Sequence, residues 1–316
     1  MKNIAFVFPG QGSQSVGAGK DLFENYESAA EIFRKADEAC GYDVSKVCFE
    51  GPVEDLNRTI YTQPAIMSVS LACLKVFEEI SGITPGAVAG HSLGEYAALA
   101  AADVLSEEDA FKLIAKRAYL TDAATKTTEG GMAAILGLSD EAVEEELSKL
   151  SGEGIVSAAN FNCPGQVVIT GEKPLVEKAM ELMKARGAKR AIPLAVSGAF
   201  HSELMKGAAL EFEVFAKDFD FSDAKIPVFE NVDGEPIVSG NELKSRLTKQ
   251  IYSSVMWTKT VENMIKSGID TFIEVGPGKV LSGLNRKISK EIKIYNVSDV
   301  ESIKSVANEI GQGALL

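Results

Sequence analysis

Histidine and cysteine are scarce in this chain of 316 residues, and their scarcity limits its chemistry. The only histidines are His91 and His201, and no two of the four cysteines are spaced as Cys-x-x-Cys. Because protein zinc sites draw most of their ligands from clustered histidine and cysteine, the sequence argues against a metal centre. No export signal is evident, so we expect the cysteines to be reduced.

Basic residues are outnumbered, with 32 Lys and Arg against 45 Asp and Glu and a net charge of −13. An excess of acid argues against nucleic acid as the main partner. We find no apolar run of membrane-span length and expect no contact with a membrane. The N-terminal apolar segment stops at Pro9-Gly10, which is typical of a first strand and too short for a signal peptide, so we expect a cytoplasmic protein.

Periodicity in the remaining sequence predicts an α/β protein. Predicted strands lie at 4–8, 87–89, 226–229, 271–275 and 293–297, and predicted helices at 19–40, 62–80, 93–103, 106–125, 203–217, 241–251, 258–267 and 279–289, followed by a last helix. Since strands that alternate with helices form parallel sheets, we expect a parallel sheet covered by helices on both faces.

The middle of the chain has a different order of predicted strands and helices. Strands predicted at 132–136, 155–159, 166–170 and 190–195 alternate with helices at 139–150 and 174–186, giving the order βαββαβ. That order is the ferredoxin-like split unit. We therefore predict a ferredoxin-like insertion at 128–197 within a core formed by 1–127 and 198–316.

Two glycine-rich turns, at 10–19 and 276–283, could suggest phosphate loops. Neither has the Gly-x-Gly-x-x-Gly or the Gly-x-x-x-x-Gly-Lys-Ser/Thr spacing. They predict tight strand-to-helix turns, whose free backbone N–H groups can face an anion or an oxyanion.

Ser92 fits two patterns at once. The stretch Gly90-His91-Ser92-Leu93-Gly94 matches Gly-x-Ser-x-Gly, the nucleophile elbow, whereas Ser92 to Glu95 matches Ser-x-x-Glu, a helix capping box. The preceding apolar strand and the following Ala-rich helix supply the strand–turn–helix setting that an elbow requires. We therefore predict a nucleophilic Ser92, with the backbone N–H of Leu93 as an oxyanion donor, while Glu95 helps to cap the helix.

A serine nucleophile needs a base, and histidine is the usual one. His91 adjoins Ser92, and adjacent side chains diverge at a sharp elbow, so it is poorly placed. His201 follows the apolar run at 191–200 and precedes a helix, which places it at a strand-to-helix junction. By elimination, His201 is the predicted base.

Arg117 falls on the apolar stripe of its predicted helix, with Ala110, Leu113, Ile114 and Thr121. A buried guanidinium needs an anionic partner. The pattern leaves two alternatives, an internal Asp or Glu or a substrate carboxylate that Arg117 binds in bidentate fashion.

Several motifs together resemble those of the malonyl-CoA:acyl-carrier-protein transacylase family. They are FPGQGSQ (8–14), TQPAIM (62–67), GHSLGEYAAL (90–99), Arg117, NFNCPGQVVITG (160–171), GAFHS (198–202) and EVGPGKVLSGLNRKI (274–288). The resemblance implies an α/β-hydrolase-like core with a ferredoxin-like insertion. It also implies a ping-pong transfer of malonyl from malonyl-CoA to acyl carrier protein through an ester on Ser92, with CoA as product, no permanently bound cofactor and a monomeric enzyme.

The resemblance also implies roles for individual residues. The N–H groups of Gln11 and Leu93 would hold the oxyanion, and Arg117 would bind the malonyl carboxylate. The backbone carbonyl of Gln250 would orient His201, and Gln63 would lie at the floor of the site. The remaining implied residues are Asn160 and Asn162, which would line the cleft toward CoA, and Phe200, which would favour malonyl over methylmalonyl.

The chain departs from the family pattern at Ser253-Ser254-Val255-Met256-Trp257, where relatives often have Ser-Pro-Val-Arg-Trp. The missing proline would loosen a loop beside Gln250.

Two other functions remain open from the sequence. A serine esterase or thioesterase would use the same elbow and base, and a binding module would use Ser92 only as a cap. Basic stretches at 184–190 and 279–293 are either solvated helix surfaces or docking sites for an acidic protein or anion.

Overall fold

The computed structural model describes residues 3–127, 129–196 and 198–313. Its strands are β1 (Ile4–Phe8), β2 (Ala87–Gly90), β3 (Gly130–Leu136), β4 (Val156–Cys163), β5 (Gln166–Glu172), β6 (Arg190–Pro193), β7 (Val228–Phe229), β8 (Pro236–Ile237), β9 (Thr271–Val275) and β10 (Lys293–Val297). Its helices are α1 (Lys20–Asn25), α2 (Glu27–Cys40), α3 (Val44–Glu50), α4 (Val53–Leu56), α5 (Thr59–Ser81), α6 (Gly94–Ala101), α7 (Glu107–Thr125), α8 (Asp140–Ser148), α9 (Lys173–Arg186), α10 (Lys206–Ala216), α11 (Gly240–Gln250), α12 (Trp257–Lys266), α13 (Val280–Ile288) and α14 (Val300–Gly313), with a 3-10 turn at Glu203–Met205.

The larger sheet has the order β10-β9-β1-β2-β7-β8 and is parallel except at its β7–β8 edge. Strands β1 and β9 are wholly buried, as expected for a sheet with helices on both faces. Phe8 pairs with Gly90, so the turns that follow β1 and β2 leave the sheet side by side. The parallel sheet is confirmed, and its antiparallel edge was not predicted because two-residue strands carry no periodic signal.

The smaller sheet is antiparallel and has the order β4-β5-β3-β6. Elements β3, α8, β4, β5, α9 and β6 follow one another as βαββαβ, which confirms the predicted ferredoxin-like unit. Residues of both helices, such as Val143 and Met183, join Ile135, Val167 and Ile169 in a separate hydrophobic core. The proposed boundary residues 128 and 197 lie outside the described residues, so the exact limits of the insertion stay a prediction.

Helix α5 corrects one expectation from the sequence. By length and composition, Thr59–Ser81 qualifies as a possible membrane span, although no such run was predicted. The qualifying window is 83% buried inside the fold, where Met67, Leu71 and Phe77 pack in the main core. Its hydrophobicity therefore matches a central position among the other helices.

The edge of the smaller sheet is hydrogen-bonded to a loop of the core close to the predicted site. Val255 donates its N–H to Ala159 O (2.8 Å) and accepts from the N–H of Phe161 (2.9 Å). Next to it, the Ser254 hydroxyl donates to Ala158 O at 2.7 Å. The segment 253–256 is thus tied to the edge of β4, whereas a loose loop was expected.

Candidate active site

The Ser92 turn connects β2 directly to α6, and its geometry requires glycine on both sides. A Cβ atom on Gly90 would lie 2.0 Å from the backbone of Gly94, and one on Gly94 would lie 2.2 Å from Phe8 O. Ser92 itself has a φ of 53°, in the left-handed region that residues with a side chain rarely adopt. Such strain is held only where the surrounding structure imposes it, and it is concentrated at functional sites.

Neither Ser92 nor Glu95 caps the helix, so the expectation that Glu95 helps to cap it was wrong. The N-cap position of α6 is Leu93, and no side chain accepts a hydrogen bond there. The Ser92 Oγ lies 2.8 Å from His201 Nε2 and accepts a hydrogen bond from Arg117 Nη2 at 3.0 Å. Glu95 is fully buried and turns inward, toward Asn231 and Gln250.

His201 is buried and is held by two backbone carbonyls. Its Nδ1 lies 2.9 Å from Gln250 O and 3.1 Å from Ser253 O. Because carbonyl oxygens can only accept, Nδ1 carries the proton and the unprotonated Nε2 faces the Ser92 hydroxyl. Burial and, next, the positive charge of Arg117 lower the pKa of His201 to about 3. The imidazole is therefore neutral and available as a proton acceptor at physiological pH.

His91 is engaged elsewhere, as the elbow argument predicts. Its Nε2 lies 2.8 Å from Asn162 Oδ1, and its ring packs against Trp257 with centroids 5.5 Å apart. Burial lowers the pKa of His91. The contact with Asn162 joins the elbow to the edge of the smaller sheet.

Arg117 is buried and bonded only to neutral oxygens. Its Nη1 donates to Gln63 Oε1 (2.7 Å) and its Nη2 to Ser92 Oγ and Gln250 Oε1 (3.0 Å each). The guanidinium lies 5.8 Å from the ring centroid of Tyr96, while its Nε has no partner among the described residues. Within residues 3–127, 129–196 and 198–313 it forms no ion pair, so the internal Asp or Glu that the sequence left open as a partner is not found there.

Two backbone N–H groups border the same space. Those of Gln11, in the turn after β1, and of Leu93 donate to no acceptor in the described part of the chain. The two turns approach closely, since a Cβ atom on Gly10 would lie 2.7 Å from His91 O. This glycine therefore allows the two donors to face one cavity.

A cavity of about 120 Å³ brings most of the predicted site residues together. Its lining comprises Gln11, Gln63, His91, Ser92, Leu93, Arg117, Met132, Asn160, Leu194, Val196, Phe200 and His201. Gln250 and Asn162 do not line it but contact residues that do. A second cavity of about 320 Å³ shares Met132, Leu194 and Val196 with the first and runs along the smaller sheet.

Sequence reasoning missed Asn231 as a part of this site. Its side chain bonds the backbone of Ser92 and of Gly90, across 139 and 141 residues of sequence. No local pattern around 231 signals this contact, because the two segments meet only through the pairing of β2 with β7.

A family model described as acyl transferase domain matches residues 5–310. The malonyl CoA-acyl carrier protein transacylase of Bacillus subtilis is 48% identical over 305 residues, which are 96% of this chain and 96% of that protein. The chain belongs to the malonyl-CoA–acyl carrier protein transacylase family. As a member of this family it is an acyltransferase.

Other relatives agree along the full length. The Haemophilus influenzae transacylase is 45% identical over 307 residues, 97% of this chain and 98% of that one. The crystal structure of an acyl carrier protein S-malonyltransferase from Vibrio cholerae has a TM-score of 0.93 at 44% identity and covers 96% of this chain and 99% of its own. A malonyl transacylase solved with a type II polyketide synthase acyl carrier protein has a TM-score of 0.93 at 40% identity, covering 97% and 99%.

Proposed function

We propose that the enzyme transfers malonyl from malonyl-CoA to the phosphopantetheine thiol of acyl carrier protein through an ester on Ser92. The observation that carries this proposal is the position of the Ser92 Oγ, between His201 Nε2 (2.8 Å) and Arg117 Nη2 (3.0 Å). A base and a cation that can bind a carboxylate therefore meet at one hydroxyl.

In the first half-reaction the Ser92 Oγ attacks the thioester carbonyl, and its proton passes to His201 Nε2. The carbonyl oxygen becomes an oxyanion, which the N–H groups of Gln11 and Leu93 stabilise. The C–S bond then breaks, and the CoA sulfur leaves with the proton that His201 returns. The products are CoA and a malonyl ester of Ser92.

Arg117 selects the acyl group. Its guanidinium is buried, and its present acceptors, Gln63, Gln250 and Ser92, are all neutral. A malonyl carboxylate would supply the anionic partner that a buried cation favours, in bidentate geometry. The same anion would offset the charge that lowers the pKa of His201, making proton transfer to the imidazole easier as the substrate binds.

The second half-reaction reverses the first with a different thiol. The phosphopantetheine sulfur of acyl carrier protein attacks the ester, His201 accepts the thiol proton, and that proton returns to the Ser92 Oγ. The relative solved with an acyl carrier protein supports this choice of acceptor. No permanently bound cofactor is needed for either step.

The two basic stretches predicted from sequence converge into one surface, which we assign to the carrier protein. Leu136 pairs with both Gln166 and Arg190, and Lys287 Nζ donates to Gln166 Oε1 at 3.2 Å. Together Lys189, Arg190, Arg286 and Lys287 form this basic surface; all four are exposed, and none has an ion-pair partner in the described ranges. By contrast, Lys184 and Arg186 pair with Glu181 and Glu145.

The test is intact-mass measurement after mixing with malonyl-CoA. We expect a malonyl adduct on the wild type, release of free CoA, and no adduct on Ser92→Ala. Ser202→Ala, which removes a buried hydroxyl bonded to Ala199 O, is the matched control and should still be acylated. A wild type that releases malonate into water faster than it transfers malonyl to carrier protein would instead indicate a thioesterase.

A further inference from the structure

Asn231 holds the backbone of the nucleophile from behind the cavity. This fully buried side chain accepts the N–H of Ser92 at its Oδ1 (2.7 Å) and donates from its Nδ2 to Gly90 O (2.7 Å). A carboxamide presents one acceptor and two donors on a rigid planar group, so it can bridge an N–H and a C=O on either side of a turn.

The turn needs this support because Ser92 is strained. Its φ of 53° costs about 1–2 kcal/mol for a residue with a Cβ atom. The backbone carbonyl of Ser92 is also held from outside the turn, since Gln250 Nε2 donates to Ser92 O at 2.9 Å. Two side chains from distant segments therefore hold the N–H and the C=O of the nucleophile.

The same asparagine also touches the segment that orients the base. Its backbone carbonyl accepts the N–H of Met256 at 2.8 Å, within the loop whose Ser253 O faces His201 Nδ1. Its backbone N–H donates to Glu95 Oε2 (3.2 Å), which also accepts from Gln250 Nε2 (2.9 Å). Asn231 thus connects the Ser92 turn with the loop beside His201.

We infer that Asn231 is a positioning residue that fixes the distance between Ser92 Oγ and His201 Nε2. The inference rests on the proposed function, because it concerns the formation of the Ser92 ester. The hydrogen bonds of Arg117 go to Gln63, Gln250 and Ser92 and none goes to Asn231. Loss of the Asn231 side chain should therefore slow acylation and leave malonyl-CoA binding nearly unchanged.

The experiment compares Asn231→Ala and Asn231→Asp with the wild type. Asn231→Asp keeps an acceptor for the Ser92 N–H but, when ionised, loses the donor to Gly90 O. Asn285→Ala is the control, since Asn285 is an equally buried asparagine whose Oδ1 accepts from Trp257 Nε1, outside the site. The readouts are the rapid-quench rate of Ser92 acylation, the KM for malonyl-CoA, taken as the concentration that gives half of the maximal rapid-quench rate, and the melting temperature.

We expect Asn231→Ala to lower the acylation rate about 10- to 100-fold at an unchanged KM, because small displacements of reacting groups have effects of this size. Asn231→Asp should fall between Asn231→Ala and the wild type, and Asn285→Ala should lose thermal stability alone. If Asn231→Ala does not fold, the acylation rate and the KM of Asn231→Asp, compared with those of the wild type, test the inference instead.

Acylation at the wild-type rate in the Asn231 variants, or a raised KM in place of a lowered rate, would overturn the inference. So would an equal loss of rate in Asn285→Ala, which would show a general effect of destabilisation. A wild type that forms no Ser92 ester would instead contradict the proposed function, so the two failures are distinguishable.

Discussion

The guanidinium of Arg117 and the hydroxyl of Ser92 are joined by a hydrogen bond of 3.0 Å. Placing a fixed cation next to the reacting oxygen has two effects. It disfavours a positive charge on the nearby His201. In the proposed mechanism it would also bind a carboxylate that lies a short distance from the attacked carbonyl, as in malonyl. Under the proposed function, selection of the substrate and tuning of the base would both depend on this one side chain.

Replacement of Arg117 by alanine should impair transfer of an acyl group with a carboxylate far more than transfer of an uncharged one. We expect kcat/KM for malonyl-CoA to fall by about 100-fold or more, because loss of one partner of a buried ion pair costs about 3–5 kcal/mol. Acetyl-CoA has no carboxylate and should lose far less. Steady-state transfer of both acyl groups to carrier protein measures this, with Lys116→Ala on the same helix as control. Equal losses for both substrates would count against the carboxylate role.

The pH dependence of acylation should reflect the low pKa of His201. In the proposed mechanism the neutral imidazole of His201 is the base, and its pKa of about 3 means that it stays neutral as the pH falls through 6.5. The acylation rate should therefore show no loss near pH 6.5. In Arg117→Gln the pKa of His201 should rise because a positive charge is removed. The loss of acylation rate at acid pH should then begin at a higher pH than in the wild type. Rapid-quench acylation between pH 3 and 8 tests both. A wild-type rate that falls around pH 6.5 would contradict the first prediction, and an identical pH profile in Arg117→Gln would contradict the second.

Glu95 should make the protein less stable at high pH. Burial, and then the nearby Glu230, raise the pKa of Glu95 to about 8, whereas an unfolded glutamate ionises near 4.5. Between these values the folded state keeps a proton that the unfolded state has lost, so this group lowers the free energy of unfolding as pH rises to about 8. Glu95→Gln should remove that dependence.

Urea unfolding at pH 5, 7 and 9 measures this effect of Glu95. We expect the free energy of unfolding of Glu95→Gln, relative to that of the wild type, to increase with pH. Glu262→Gln, at an exposed position, should show the same pH dependence of stability as the wild type. A difference between Glu95→Gln and the wild type that stays constant with pH would show that Glu95 is already ionised in the folded protein.

Phe200 lines the cavity beside Met132 and Val196 and should restrict the acyl group. Phe200→Ala opens space for an α-methyl group, so the kcat/KM ratio of methylmalonyl-CoA to malonyl-CoA should rise about tenfold, within the 1–3 kcal/mol that one methyl group is worth. Competition between the two thioesters for Ser92, read by intact mass, measures the ratio. Phe215→Ala, on α10 away from the cavity, is the control, and an unchanged ratio in Phe200→Ala would exclude this role.

Carrier-protein recognition should depend on the exposed cations of the basic surface. Reversing the charge of Arg190 and Lys287 together should raise the KM for carrier protein and leave the rate of acylation by malonyl-CoA unchanged. Reversing Lys184 and Arg186, which have acidic partners of their own, should have the smaller effect on this KM. Equal KM values for all variants would place the docking surface elsewhere.

Periodicity and residue chemistry predict much of this architecture from the sequence. The parallel sheet, the βαββαβ unit and the buried position of Arg117 follow from patterns that extend over whole elements. Helices α3 and α4 and the edge strand β8 were missed, because elements of two to seven residues show less than two turns of helix or a single alternation.

The two overlapping motifs at Ser92 do not by themselves decide between a cap and an elbow, and the elbow was predicted from the strand and the helix that flank them. The choice depends on a φ of 53°, which is supported by Asn231 and Gln250 from 139 and 158 residues away. Contacts at such separations leave no trace in the spacing of Gly90, Ser92 and Glu95. For the same reason, nothing in the sequence indicated that Asn231 belongs to the site.

The long separation between Ser92 and its supports also bears on synthesis of the chain. During translation Ser92 leaves the ribosome well before Asn231, and Gln250 leaves it last of the three. Domains form as their segments emerge. A partly translated chain therefore carries the serine without the carbonyl that orients His201 and without either side chain that holds the Ser92 turn. Reactivity toward cellular thioesters should therefore appear only when translation is nearly finished.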